Sequence, residues 1–173
     1  MIVSACIPKF SAQLIRKAYD IGWKPLHCMS NVSSSVGATI IPAGAEKAIG
    51  VVTSRYLKDA TDHGWDNDPG MNEWRDFMAK YIPNGDLVDS GYVSSYGSCT
   101  TMLQTLKQCG NDFSRENIMR QATSLKDEAV PVLLPGIVVN TSPTDYHPIE
   151  QMQLTHWDGK TWVRFGDVLN ASA

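Results

Sequence analysis

The sequence predicts an α/β fold on a parallel sheet, and three observations carry that prediction. Residues 2–7 read as a short buried strand, residues 25–29 return as a second, and an amphipathic helical pattern lies between them. Such a strand–helix–strand unit is the parallel-sheet crossover. Residues 50–57 read as a further strand. Near the end of the chain, residues 151–157 alternate apolar and polar, Asp158-Gly159 is a hairpin turn pair, and residues 161–169 pair back.

Taken in order, Pro8 and Lys9 break the first strand, and a helix is expected to open at Phe10-Ser11. Ser11 is suited to an N-cap, since its hydroxyl can accept a backbone N–H that the first turn leaves free. Phe10 and Ile15 are spaced for a hydrophobic staple. Leu14, Ile15, Ala18 and Ile21 repeat at helical spacing, and Gly22 suits the position just past the end. Residues 36–48 form a weak helical pattern, because Gly37, Pro42 and Gly44 count against it. Residues 58–68 are polar and turn-rich and read as a solvated loop. Their acidic residues lack the alternation and closing Glu of a calcium loop.

Pro69 opens a helix at the position proline prefers, with Met71, Trp74, Phe77, Met78 and Tyr81 as its apolar stripe. Residues 83–86 are a turn. Residues 92–109 form a long helical pattern with Val93, Tyr96, Met102, Leu103, Leu106 and Cys109 directed inward and Gly110 ending it. Ser114 caps a further helix ending near Leu125, with Phe113 and Ile118 as a second candidate staple. Residues 131–135 are extended, 136–140 read as a strand, and 141–148 as a loop.

Composition narrows the function. The chain has 173 residues, 43% hydrophobic and 19% charged, which suits a packed domain. Its net charge of −3 and lack of a basic block argue against nucleic acid as a partner. No apolar run reaches the ~18 residues of a membrane span. Met1 leads straight into strand-like sequence, without the charged and apolar regions of a signal peptide. Cys6, Cys28, Cys99 and Cys109 make neither a zinc pattern nor a CxxC pair. In apolar strands Cys6 and Cys28 read as small hydrophobes, while Cys109 is open to a disulfide in an oxidising compartment.

No catalytic set emerges. His27, His63, His147 and His156 sit in no HExxH pattern, Ser33 to Ser35 lie in no GxSxG elbow, and no glycine-rich phosphate loop is present. The chain is expected to be no enzyme and to need no cofactor or metal. His27 is expected in the core or at an edge, and His156 exposed. In open α/β sheets ligands bind beyond the carboxyl ends of the strands. That rule points at Cys6, Ile7 and Pro8 and at the polar run from Ser30 to Ser35. Asn31, Ser33, Ser34 and Ser35 offer an amide, hydroxyls and free N–H groups that suit a carboxylate. A plain capped helix accounts for the same residues equally well.

Five segments point to a family. These are Phe-Ser-Ala-Gln-Leu-Ile-Arg-Lys-Ala-Tyr-Asp-Ile-Gly-Trp-Lys-Pro-Leu-His at 10–27, Gly-Met-Asn-Glu-Trp-Arg-Asp-Phe-Met at 70–78, Leu-Lys-Gln-Cys-Gly at 106–110, Ser-Arg-Glu-Asn-Ile-Met-Arg-Gln-Ala at 114–122, and Leu-Pro-Gly-Ile-Val-Val-Asn-Thr-Ser-Pro-Thr-Asp at 134–145. In this order they resemble the type I periplasmic solute-binding proteins of branched-chain amino acid ABC transporters, over the C-terminal half only. The resemblance implies portions of two Rossmann-like lobes. Residues 1–57 would belong to the second lobe, 58–133 to a mainly helical part of the first, and 134–173 to a crossover and hairpin returning to the second. It implies a solute-binding component for a small organic acid or amino acid, located in the periplasm, with an ABC permease as partner. The ligand residues would be Cys6, Ile7, Asn31, Val32, Ser33 and Ser34. In amino-acid-binding members an acidic residue after the second strand meets the ligand's ammonium. Here that position is Asn31, so a carboxylate without an amine fits better. A cytoplasmic ligand sensor on the same fold is the alternative reading. Open strand edges in a half-built fold also imply a homo-oligomer for the isolated chain.

Overall fold

The computed structural model describes residues 1–171; the last two residues of the 134–173 segment lie outside the described residues. One mixed sheet has the order β1 (Ile2–Ser4), β2 (His27–Met29), β3 (Val52–Arg55), β4 (Gln151–Trp157), β5 (Trp162–Asn170). β1, β2 and β3 run parallel, with Val3 opposite Cys28 and Cys28 opposite Val52. β4 returns antiparallel beside β3, and the β4–β5 hairpin closes over Asp158, whose carboxylate accepts from Lys160 N at 2.7 Å and Thr161 N at 2.8 Å.

β1 is shorter than expected and is an edge, not a buried strand. Val3 is 74% exposed, and Cys6 and Ile7 lie beyond the strand. The helix α1 (Pro8–Asp20) begins at Pro8, with Ile7 at the N-cap. Proline's fixed φ and missing N–H suit that first position. Ser11 therefore sits inside the first turn, buried, with its hydroxyl unpartnered rather than capping. Phe10 is exposed and makes no staple. The other end behaves as expected. Gly22 takes φ +70, Gly22 N donates to Tyr19 O, and Trp23 N donates to Ala18 O, a Schellman ending.

The weak helical stretch after β2 is irregular. A π-helical turn, Val36–Ile40, runs into the single turn α2 (Ile41–Ala43), and a 3-10 turn follows over Ala45–Ala48. α3 (Pro69–Tyr81) starts on proline, with Asp68 accepting from Met71 N at 2.9 Å. α4 spans Ser90–Gln108, and α5 (Arg115–Ala122) is capped by Ser114 as expected but ends before Leu125. Phe113 is exposed. Residues 136–140 do not form a strand. Val139 and Leu133 instead make isolated bridges, to Glu128 and Leu57.

Two cores result. The sheet core joins Ala12 and Ile15 of α1, Met29, Ile40, Ala43 and Val51 to Trp157 and Trp162 of the hairpin. The two indoles meet edge-on at 5.5 Å between centroids. The helical core joins Met71, Trp74 and Met78 of α3 and Val93 of α4 to Val130, Val132, Leu133, Leu134, Ile137 and Val139. Phe77 and Tyr81 of the α3 stripe stay largely outside it, and Met102 and Leu103 of α4 are 47% and 53% exposed rather than inward.

The segment joining the cores is not the solvated loop that its composition suggests. Lys58 and Asp59 are buried. Lys58 Nζ donates to Asp68 Oδ1 at 2.7 Å and to Pro131 O at 2.8 Å. Asp59 Oδ2 lies 3.1 Å from Arg55 Nη1, an ion pair without hydrogen-bond alignment, while its Oδ1 holds Thr61. Burying a charge is tolerable only with such partners.

Candidate functional site: a cleft at the carboxyl ends of the parallel strands

A cleft of about 380 Å³ opens where β1, β2 and β3 end. Each strand sends chain into it. Pro8 follows β1; Asn31, Val32, Ser34 and Ser35 follow β2; Arg55, Tyr56 and Leu57 end β3. The opposite wall is the start of α4, with Asp89, Ser90, Gly91 and Ser94. The cleft thus lies between the two cores, on the side of the sheet where open α/β folds take ligands.

The loop after β2 is held by its carbonyls. Ser34 O accepts from Arg55 Nη1 at 3.2 Å and from Trp162 Nε1 at 3.0 Å. Ser34 Oγ donates to Asn31 O at 2.7 Å, and Ser33 Oγ donates to Cys6 O, tying the β2 loop to the end of β1. Ser35 Oγ does three things. It accepts from Ala38 N at 3.2 Å, accepts from Ser90 N at 3.3 Å, and donates to Asp89 Oδ1 at 3.0 Å. Asp89 Oδ1 also accepts from Gly91 N at 2.9 Å, capping α4.

Arg55 is the one buried cation on the cleft wall among the described residues. Burial lowers its pKa, and the charges of Asp59 and Asp62 oppose that. Its guanidinium lies 5.8 Å from the Trp162 ring centroid.

Of the residues singled out from sequence, Pro8, Asn31, Val32, Ser34 and Ser35 line this cleft. Ser33 does not; it is fully buried beneath the loop. Cys6 is half-buried and Ile7 is 57% exposed, and neither lines the cleft. Arg55, Asp89 and Ser90 line it and were not anticipated. Asp89 carried a usable signal, since Asp followed by Ser-Gly before a helical run is an N-cap pattern. Arg55 carried none beyond being a lone cation in an apolar strand.

The four cysteines are free thiols, and Cys109 Sγ lies 3.3 Å from Thr105 O inside the helical core. Among the described residues no group of three His, Cys, Asp or Glu side chains is placed to hold a metal. His27 is buried with Nε2 2.8 Å from Ser4 Oγ, and burial lowers its pKa. His156 is half-buried against Phe165, at 5.7 Å between ring centroids, rather than exposed. No helix among the described residues is long and apolar enough to cross a membrane.

The family model described as "Periplasmic binding protein" matches residues 1–161. The chain belongs to the periplasmic binding protein family. No curated protein matches it. Solved structures resemble this member in fold. A branched chain amino acid ABC transporter protein from Thermus thermophilus, solved with bound valine, has TM-score 0.81 at 15% identity, over 97% of this chain and 45% of that one. A substrate-binding periplasmic protein from Ralstonia solanacearum has TM-score 0.80 at 16% identity, over 95% and 45%. A fatty acid ABC transporter substrate-binding protein from Thermomonospora curvata has TM-score 0.70 at 17% identity, over 98% and 43%. The periplasmic binding chain described here therefore spans less than half the length of these structures, and its fold is a partial type I periplasmic binding fold.

Proposed function

We propose that this chain is the C-terminal part of the solute-binding component of an ABC-type uptake system. It is non-catalytic, works outside the cytoplasmic membrane and delivers its solute to a permease. The observation that carries this reading is the cleft at the carboxyl ends of three parallel strands, walled by loop polar groups on one side and the start of α4 on the other. The two separate cores support a lobe assignment, with residues 1–57 in a second lobe and 58–133 in a first. Residues 134–173 lead back, after Leu134, Ile137 and Val139 have packed in the helical core.

The ligand is a small carboxylate, contacted from this chain by Asn31, Val32 and Ser34, with Arg55 setting the loop that carries them. Asn31 is neutral, and Asp89 Oδ1 already serves Ser35 and Gly91. An ammonium set against Asn31 lacks a charge-assisted partner at that position. An acid without an α-amine is therefore preferred to an amino acid. Thermal unfolding with 3-methylbutanoate and with valine tests this. The expected result is a larger upward shift with 3-methylbutanoate. A larger shift with valine would overturn the ligand class, and hydrolytic or redox turnover intrinsic to the chain would overturn the non-catalytic reading.

A further inference from the structure

The two walls of the cleft touch through main chain at one point. Gly37 N–H donates to Val88 O at 3.0 Å. Beside it lies the Ser35 Oγ to Asp89 Oδ1 bond. Gly37 belongs to the π-helical turn on the sheet-core side, and Val88 leads into α4 on the helical side. Two properties let residue 37 make this contact. It stands in the first turn of a helical segment, where N–H groups have no partner within the turn. It also has no side chain. A Cβ there would lie 2.9 Å from Val88 Cγ2 and 3.0 Å from both the carbonyl carbon and oxygen of Val88. Two of those three atoms are backbone, so a rotamer change of Val88 does not clear the space. Gly37 is not among the glycines of positive φ. Its conformation therefore does not demand glycine, and the close approach does.

We infer that Gly37 determines how closely the two walls of the cleft approach, and so restricts the cleft to small solutes. A β-carbon at residue 37 pushes the Val88 main chain back, which lengthens the Gly37–Val88 bond and strains the adjoining Ser35–Asp89 bond. The consequence for solute size rests on the binding function proposed above; the wall contact itself does not.

The test uses the 173-residue chain, with Gly37→Ala and Ser35→Ala as variants. Amide exchange read by mass spectrometry over residues 31–40 and 86–92 should rise together in Gly37→Ala, by roughly tenfold, because the two segments protect one another. Residues 27–29 and α3 should be unchanged. Ser35→Ala should raise the same two segments by less, because Gly37 still meets Val88. In the unsubstituted chain the Gly37 amide proton, followed by NMR, should exchange slowly. A Gly37 amide exchanging at the rate of an open loop would overturn the contact, whether or not the variants fold. A rise confined to residues 31–40 would reduce Gly37 to a local structural role. In a second arm, thermal shifts with straight-chain monocarboxylates from butanoate to decanoate should show a longer preferred acid in Gly37→Ala. The same preferred length in both proteins would overturn the size role. A chain that no acid stabilises would remove the binding function and the size role, while the exchange result still decides the wall contact.

Discussion

In the half of the molecule built on the sheet, both large buried indoles have their N–H groups satisfied. Trp157 Nε1 donates to Ala45 O at 2.9 Å and Trp162 Nε1 to Ser34 O at 3.0 Å. In the half built on α3 and α4, Trp74 is equally buried, yet its indole nitrogen has no partner. The sheet half has five hydrogen-bonded strands, and no named strand falls between residues 56 and 150 among the described residues. A groove of about 460 Å³ runs between α3 and α4, flanked by Phe77, Ile82, Tyr96 and Leu103. Helices of an α/β fold bury their apolar stripes against a second layer. α1 shares its core with Met29 of β2, the 36–51 segment and the two hairpin tryptophans. α3 and α4 instead pack on the 125–139 segment, on side chains such as Tyr56, Trp65 and Ile149 and, for α4, on α5, with no sheet among them. Both halves leave apolar side chains open to association, among them Val3, Trp23 and Leu169 in the sheet half and Tyr81 and Leu103 in the helical half. The sheet half differs in that its strands are paired and its buried indoles are hydrogen-bonded.

The largest expected effect would come from the tryptophans. Trp157→Ala should destabilise the chain by about 4–5 kcal/mol, cavity and lost hydrogen bond together. Phenylalanine sharpens the contrast. Trp157→Phe leaves Ala45 O without its donor, whereas Trp74→Phe removes a buried donor that had no acceptor. Urea unfolding should therefore show a loss of about 1 kcal/mol or more for the first and a smaller loss for the second. Equal losses would break the comparison.

The joint between the halves comes next. Asp59→Ala leaves Arg55 buried without its ion partner and should cost about 3 kcal/mol, measured the same way. Arg55 also holds Ser34 O, so this variant should loosen the cleft loop, visible as faster amide exchange over residues 31–35.

Acid should act on the two halves in different windows. Burial lowers the pKa of His27, so the folded state favours the neutral ring. The unfolded chain then binds the extra proton first, and the sheet half should lose stability as pH falls below about 6.5. Asp68 behaves differently. Burial alone would raise its pKa, but the Lys58 hydrogen bond, the Met71 and Gly70 N–H groups and the Lys58 charge together lower it. Its contribution is present above the ordinary carboxylate range and is lost only as pH falls below about 4. His27→Gln should flatten the upper window and leave the lower one, as read by urea midpoints between pH 7 and 3.

The smallest effect on stability, and the clearest on association, belongs to the open face. Leu103→Lys should change stability by no more than about 0.5 kcal/mol, since the side chain is already half in water. It should nevertheless reduce self-association in sedimentation across a concentration series, because association covers exposed apolar surface. Unchanged sedimentation would shift attention to the open edge of β1.

Local geometry was legible in the sequence wherever near neighbours decide it. Pro69 at a helix start, Ser114 as a cap, Gly22 past the end of α1 and Asp158-Gly159 at the hairpin all follow from steric limits on φ or from hydrogen bonds within a few residues. The parallel pairing of the first two strands followed from the crossover between them, the end of the sheet at which the cleft opens from the strand-end rule, and the family from the ordered segments. Tertiary structure alone decided the rest. Apolar spacing placed Met102 and Leu103 inward, but a stripe says which residues share a face, not whether a layer exists to cover it. Composition made Lys58 and Asp59 solvated. Their burial depends on Pro131, Asp68 and Arg55 arriving around them, and Pro131 lies 73 positions from Lys58. Residues 136–140 have strand-like side chains, but a strand needs a neighbour with free N–H and C=O groups, and only single bridges are offered there. The cleft shows the division most plainly. Ser35 and Asp89 are 54 positions apart, and no local preference of either could announce that the packing of two cores would bring them into hydrogen-bond range.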